Sequence, residues 1–499
     1  MYELWAGLAE AIAPDVMLFV LLGIFLGYII GVLPGLNRPV ALAVAIPLSY
    51  YMSPLSAIAF LVGIAKASGA GGATTAILLN TPGEINAAAT CLDGYPLARE
   101  GHAKKALKVA LYASVTGDIL GTLALIVLAQ PLASLALGVG PVEMTAIMLL
   151  SLTFIAALSG RSLLRGLAAG VFGVFLSTVG LDIETATPRM TFGQVELLDG
   201  IPLIAITIGM LGLTEMFIQA QEIFTQRREQ TVPTITPPGD GKLTPKEILR
   251  IAPTMVRSSA IGVGVGILPG LGPSIASFVS YAIAERTAKL GDRFRRGEIK
   301  GVAAAETADN AAVPASLVPL FALGLPGSVS AAILLAAFMI HGITPGPRLF
   351  AEHGQFMYAV YGAMLVASLF MLLVGRVGLV AFANLTRVPQ HIVIPIVILL
   401  CIVGAYVESR SLFAVQVTVA FAVLGYVMEK FDYSRITFLI GFIIGPLLET
   451  AARQALVITG GQFSKLLHYP VAMALFVMAI GVGIYFIRSP RSSPVDAEG

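Results

Sequence analysis

Read for hydrophobic and polar positions, the chain is a succession of apolar runs near the length of about 20 residues that a bilayer requires, separated by short polar turns. The pattern predicts spans over 15–36 and 38–50, a broken stretch over 57–92, then 106–130, 142–159, 163–181 and 201–219. A second series follows at 251–272, 273–284, 302–344, 356–375, 389–407, 411–428 and 433–450, with 468–487 as an unpaired last helix. The longest polar, Pro-containing segment, 221–250, lies between them and reads as a linker. The expected fold is an all-α polytopic membrane protein, with a first transmembrane repeat over 1–220, a second over 251–450, and an extra helix and tail over 451–499.

Two signatures recur in order. "GVLPGLNRP" interrupts the first span, and at a shift of 235 its Gly31, Leu33, Pro34, Gly35 and Leu36 fall on Gly266, Leu268, Pro269, Gly270 and Leu271. "LLNTPGE" (78–84) matches "ALGLPGS" (322–328) at a shift of 244, pairing Pro82 and Gly83 with Pro326 and Gly327. An ordered pair at nearly one shift points to a duplication.

Charge gives the halves a direction. The linker carries five basic residues and reads as cytoplasmic, whereas residues 1–14 carry none. Residues 49–65 hold no charge, while 284–300 hold Arg286, Lys289, Arg293, Arg295, Arg296 and Lys300. The next pair reverses, with Arg99, Lys104, Lys105 and Lys108 facing only Arg348. Matching loops on opposite sides are the mark of inverted-topology repeats, here with the N-terminus outside and the C-terminus inside.

Composition agrees: 57% of the 499 residues are hydrophobic and 12% charged, against roughly 25% charged in soluble domains. A net charge of +2 gives no reason for a nucleic-acid partner. Cys91 and Cys401 have no metal or disulfide spacing, and no His shows ligand spacing. "MYELWAGLAEAIAP" lacks a basic n-region, so the first span is expected to be retained.

Breakers inside apolar runs carry the candidate chemistry. Backbone in hydrocarbon must be paired, so unwound segments are tolerated only where protein buries them or a polar cavity receives them. A half-helix N-terminus offers N–H donors to an anion, and freed carbonyls hold a cation. The anion-binding candidates in the first half are Lys66, Ser68, Gly71, Thr74, Thr75, Asn80, Thr81, Pro82 and Gly83; in the second they are Asn310, Ser316, Gly324, Pro326, Gly327 and Ser328. Candidates for ion coupling are Pro34, Gly35, Asn37, Pro269, Gly270, Ser274, Asp118 and Asp309. Small and hydroxyl residues in membrane helices also serve close packing. Lys66 reads either as a partner for a substrate carboxylate or as a side chain that snorkels or bonds a carbonyl. Asp118 reads either as a coupling site or as a hydrogen-bonding residue on a packing face. A channel would also use paired broken helices, whereas the scattered acids offer no activated nucleophile for an enzyme.

"GVLPGLNRPVALAVAIPLSYYMSP", "GAGGATTAILLNTPGE", "TPRMTFGQVELLDGI" (187–201) and "GLPGSVSAAILLAAFMIHGITPGPRLF" (324–350) resemble the large membrane subunit of the tripartite tricarboxylate transporters, TctA, across essentially the whole chain. The resemblance implies a bacterial inner-membrane secondary transporter for carboxylates. It further implies a small membrane subunit and a periplasmic solute-binding protein as partners, no cofactor, and sodium or a proton as the coupling cation. One departure is "ETADNAAVPAS", with Asp309, Val313 and Pro314 where the family often has an Asn and a Gly pair.

Overall fold

The computed structural model of the chain describes residues 2–33, 35–159, 162–182, 184–225, 241–268, 270, 272–386 and 388–488. The first half contributes α1 Tyr2–Ala11, α2 Pro14–Val32, α3 Arg38–Ser49, α4 Pro54–Leu79, α5 Ala88–Leu97, α6 Ala103–Ala136, α7 Pro141–Ser159, α8 Leu163–Ser177, α9 Leu203–Thr207 and α10 Thr214–Thr225. The second contributes α11 Pro245–Gly266, α12 Gly272–Arg286, α13 Ile299–Ala315, α14 Leu317–Leu323, α15 Val329–Ile340, α16 Leu349–Glu352, α17 Gly354–Leu385, α18 Gln390–Ser409, α19 Leu412–Lys430, α20 Arg435–Thr459 and α21 Pro470–Arg488. The all-α expectation holds apart from a two-stranded ribbon, β1 Gly180–Leu181 with β2 Pro188–Arg189. Nine helical segments among the described residues are long and apolar enough to cross a bilayer, so this is a multi-pass membrane protein.

Three expectations change in detail. Helices α3 and α12 have 12 and 15 residues; at 1.5 Å per residue they reach only about 18 and 22 Å, short of the ~30 Å hydrocarbon core. They are half-helices, not spans. The stretch 57–92 breaks once, after Leu79, because α4 absorbs Gly69, Gly71 and Gly72 without interruption. The linker is helical at both ends, with α10 reaching Thr225 and α11 starting at Pro245 behind a Thr244/Glu247 capping box; residues 226–240 lie outside the described residues.

Two compact units emerge: Met1–Ser134 with Glu215–Arg410, and Leu135–Thr214 with Ser411–Gly499. Each draws on both sequence halves. In the larger unit α4 is the central helix, with 94% of its most apolar window buried against 28% for α17. Gly23, Gly27 and Gly31 of α2 press against the carbonyls of Phe60, Ile64 and Ser68 on α4 and leave no room for a Cβ. The second half repeats this at the same shifts: Gly262 and Gly266 of α11 lie against the carbonyls of Ala308 and Ala312 on α13. The long helices are exchanged between halves. Gly117 and Gly121 of α6 pack on the Thr307 and Ala311 carbonyls of α13, while α17 packs on α2 and α4. In the smaller unit α8 and α20 cross tightly, Gly173 against the Phe438 carbonyl and Gly441 against that of Gly170. There Arg453 holds Asp182 (2.6 Å) and Glu449 (2.7 Å), tying the ribbon's first turn to α20.

Candidate functional site

The larger unit contains both breaks. Helix α4 ends at Asn80, whose φ of 52° is left-handed, and α14 ends at Gly324, φ 74°, at the equivalent position. Gly35 and Gly270 likewise share a φ of 85°. Such conformations stop a helix within one residue and suit Gly and Asn. Pro34 and Pro269 lie outside the described residues.

The first loop presents Asn80, Thr81 and Pro82 to the exterior, with Gly83 half-buried beside Thr75 and Gly31. The Thr81 hydroxyl donates to the Leu79 carbonyl (3.1 Å) and that of Thr75 to Gly72 (2.9 Å). Ser68 is buried, bonded to its own helix, and Gly71 lies against Gly31. Thr74 faces instead a small apolar crevice that also involves Tyr28, Leu111 and Phe382.

The second loop, Gly324 to Ser328, is buried and closed on itself. The N–H groups of Gly324 and Leu325 return to Leu320 and Pro319, and that of Gly327 donates to the Ser316 carbonyl (3.2 Å). Gly270 N–H donates to the Gly327 carbonyl (3.1 Å), and the Ser316 and Ser328 hydroxyls meet at 2.9 Å. The structure thus brings Gly270, Ser316, Gly324, Pro326, Gly327 and Ser328 together. Ser274 sits half-buried in the first turn of α12, Asn37 caps α3 through Val40 N–H (3.0 Å), and the Gln219 side-chain amide donates to the Gly35 carbonyl.

Lys66 and Asp118, singled out for separate roles, form one buried knot. Lys66 Nζ is 2.7 Å from Asp118 Oδ2 and 3.2 Å from both Thr122 Oγ1 and Ser368 Oγ. The ammonium is balanced inside the protein, where an isolated charge would be prohibitive.

Asp309 opens a network that sequence reasoning missed. Arg38 is 2% exposed at the start of α3; its Nη2 lies 3.2 Å from Asp309 Oδ2 and 3.9 Å from Glu84 Oε2, and its backbone N–H donates to Glu84. Asn86 Nδ2 donates to Asp309 Oδ1 (2.6 Å). One turn before Asp309, Glu306 accepts from the hydroxyls of Thr90 (2.5 Å) and Ser114 (3.0 Å). Asn310 turns away, its Nδ2 donating to the Glu306 carbonyl (2.9 Å). Asp93 accepts from Tyr281 OH and from Gly297 and Glu298 N–H, holding the start of α13. In the loop before α13, burial raises the Asp292 carboxyl, but Lys300, the Lys289 N–H and Arg250 outweigh it and hold it down at about 2. The available signal was that Arg38 and Glu84 are the charges nearest the two breakers of the first half.

Residues 17–440 match the Tripartite tricarboxylate transporter TctA family. Among curated relatives, an "Uncharacterized 52.8 kDa protein in TAR-I ttuC' 3'region" of Agrobacterium vitis is 33% identical over 97% of this chain and 96% of its own length. An "Uncharacterized protein in TAR-II ttuC' 3'region" of the same organism is 30% identical over 44% of this chain and 89% of its own. No solved structure matches. A match over most of the chain, on a membrane protein whose helices break in left-handed residues at the matching positions 80 and 324, makes this chain a member of the tripartite tricarboxylate transporter TctA family.

Proposed function

We propose that the chain is the large membrane subunit of a binding-protein-dependent secondary importer of carboxylates, working by ion-coupled alternating access in the bacterial inner membrane. A periplasmic solute-binding protein delivers the carboxylate, a small membrane subunit completes the complex, and sodium or a proton is the coupling cation. The halves are inverted repeats, with the N-terminus periplasmic and the C-terminus cytoplasmic. The substrate carboxylate is met at the first loop, Asn80 to Gly83.

The observation that carries the reading is the repeated break itself: left-handed exits at Asn80 and Gly324 at the ends of equivalent helices, in a chain of a transporter family. Backbone freed at such a break needs a polar occupant or a protein partner. The first loop is the accessible one.

Reconstituted vesicles test the assembly. Uptake should require this chain, the small subunit and the binding protein together, and full accumulation by this chain alone would remove the tripartite reading. Single cysteines at Ser53 and Gly291 in a Cys-free background should label from the periplasm and the cytoplasm respectively; labelling from one face would sink the inversion.

A further inference from the structure

The Arg38 network is out of charge balance. One guanidinium stands among three carboxyls, Glu84, Asp309 and Glu306, all at most 9% exposed. Asp309 and Glu84 each reach Arg38, but no ion pair reaches Glu306 among the described residues. Its oxygens meet only the neutral hydroxyls of Thr90 and Ser114. Arg38 is itself incompletely used: its buried Nε has no acceptor, although an unmet buried donor is disfavoured. The junction therefore lacks a positive charge at Glu306 and an acceptor at Arg38.

No other group supplies the charge. Helix α5 presents Cys91 and Asp93, and Asp93 is spent on Tyr281 of α12 and the backbone before α13. Lys66, on α4, is spent on Asp118 of α6. Helix α11 meets α13 through Gly262, Gly266 and the apolar Ile251, Met255 and Val265; its Arg250 is spent on Asp292 and Glu298, and its Ser258 is bonded to Ser280 of α12. Among the described residues no group of three or more His, Cys, Asp or Glu side chains is placed to hold a metal ion.

We propose that Glu306 is the site where one proton enters with each substrate molecule, its loading permitting Arg38 to take the substrate's carboxylate on the unused Nε. The proposal rests on the importer reading. A carboxylate is repelled from Arg38 while all three acids are charged, and one proton on Glu306 removes part of that repulsion. The proton comes from the outer water, binds a Glu306 carboxyl oxygen, and leaves to the inner side when the substrate departs. No covalent bond to carbon changes. By linkage, the bound anion raises the proton's affinity by the same factor.

The test uses vesicles holding the complete transport complex, labelled citrate as probe, and an acid-outside pH gradient with equal sodium on both sides. One coupled proton supports about tenfold more accumulation per pH unit. Glu306→Gln, which keeps size and hydrogen bonding, should lose this gradient-driven accumulation in a correctly assembled complex, and Glu306→Asp, still titratable, should keep part of it. Accumulation by Glu306→Gln at the wild-type level overturns the proposal, as does wild-type uptake driven by a sodium gradient alone. A second readout needs no transport: infrared difference spectra of the purified chain between high and low pH should show a buried carboxyl taking up a proton, a band that is absent in Glu306→Gln. Lack of that band in the wild type also overturns the proposal. If the band is present but uptake ignores the binding protein, the importer reading fails and the proton site stands.

Discussion

The two loops that follow equivalent helices leave by the same left-handed residue and are then treated in opposite ways. At Asn80 the chain turns outward; no backbone cap bond returns from it to α4 among the described residues, Thr81 reaches back to the Leu79 carbonyl through its hydroxyl alone, and the far end is held by Glu84 on Arg38. At Gly324 the chain turns inward and its N–H groups are consumed within the protein, two by the end of α14 and one by Ser316. The same device occurs at both places, and the two differ in what satisfies the freed backbone. The first is held by charge and remains open to a visitor. The second is held by its own hydrogen bonds and serves as a fixed corner.

Removing the charge should have the largest effect. Arg38→Ala leaves Glu84 and Asp309 buried without their cation, which costs about 3–5 kcal/mol. Thermal unfolding in detergent should fall accordingly, with hydrogen exchange rising first over 80–87 and not over 324–328. A variant with unchanged stability would show that charge does not hold the first loop.

Glycine substitution should separate the loops next. A Cβ on Gly327 would lie 2.7 Å from the Ser316 carbonyl oxygen and 3.1 Å from that of Gly266, both backbone atoms. Gly327→Ala should therefore destabilise by about 1–3 kcal/mol. On Gly83 the nearest atoms are Thr75 Oγ1 at 3.3 Å and the Gly31 oxygen at 3.6 Å, so Gly83→Ala should assemble normally and any loss should appear in uptake. Equal loss of assembly in both would erase the distinction.

Asn80→Asp places a negative charge on the exposed turn without changing size. Carboxylate affinity should drop about tenfold, or some 1.4 kcal/mol, with assembly intact; unchanged affinity would take this loop out of the binding site. The smallest effect concerns the approach to α13. Asp292 is held down at about 2, so its anchorage is complete above the ordinary carboxylate value of about 3.9 and is lost as pH falls through about 2. Protection from hydrogen exchange over 287–298, corrected for the intrinsic rate at each pH, should stay flat above pH ~4 and fall only below it; loosening that begins near neutrality would contradict that anchorage.

Much of this contrast was hidden in the sequence for physical reasons. The breaks themselves were legible, because Pro and Gly inside an apolar run have few other readings. Which loop opens was not, since burial of the second depends on Gly270 and Ser316 returning to it. Lys66 and Asp118 were each conspicuous as lone charges, but their pairing is set by how α4 and α6 pack. Arg38 and Glu84 sit at the edges of apolar runs and look like ordinary loop charges until α13 brings Asp309 alongside. The half-helices were read as spans although their apolar runs, 38–50 and 273–284, are themselves too short to cross a bilayer.

The exchange of long helices sets an order for synthesis. Helix α2 meets α4 soon after it leaves the ribosome, and the glycine seam between them can close at once, as can that between α11 and α13. Lys66 gains Asp118 after a further 52 residues but must wait 302 for Ser368. Helix α6 likewise stands in the bilayer with bare glycines until α13 is made. The first half thus stays incompletely packed until the second is made, and a ribosome stalled in the linker leaves a nascent chain whose α4 and α6 still lack their partners from the second half.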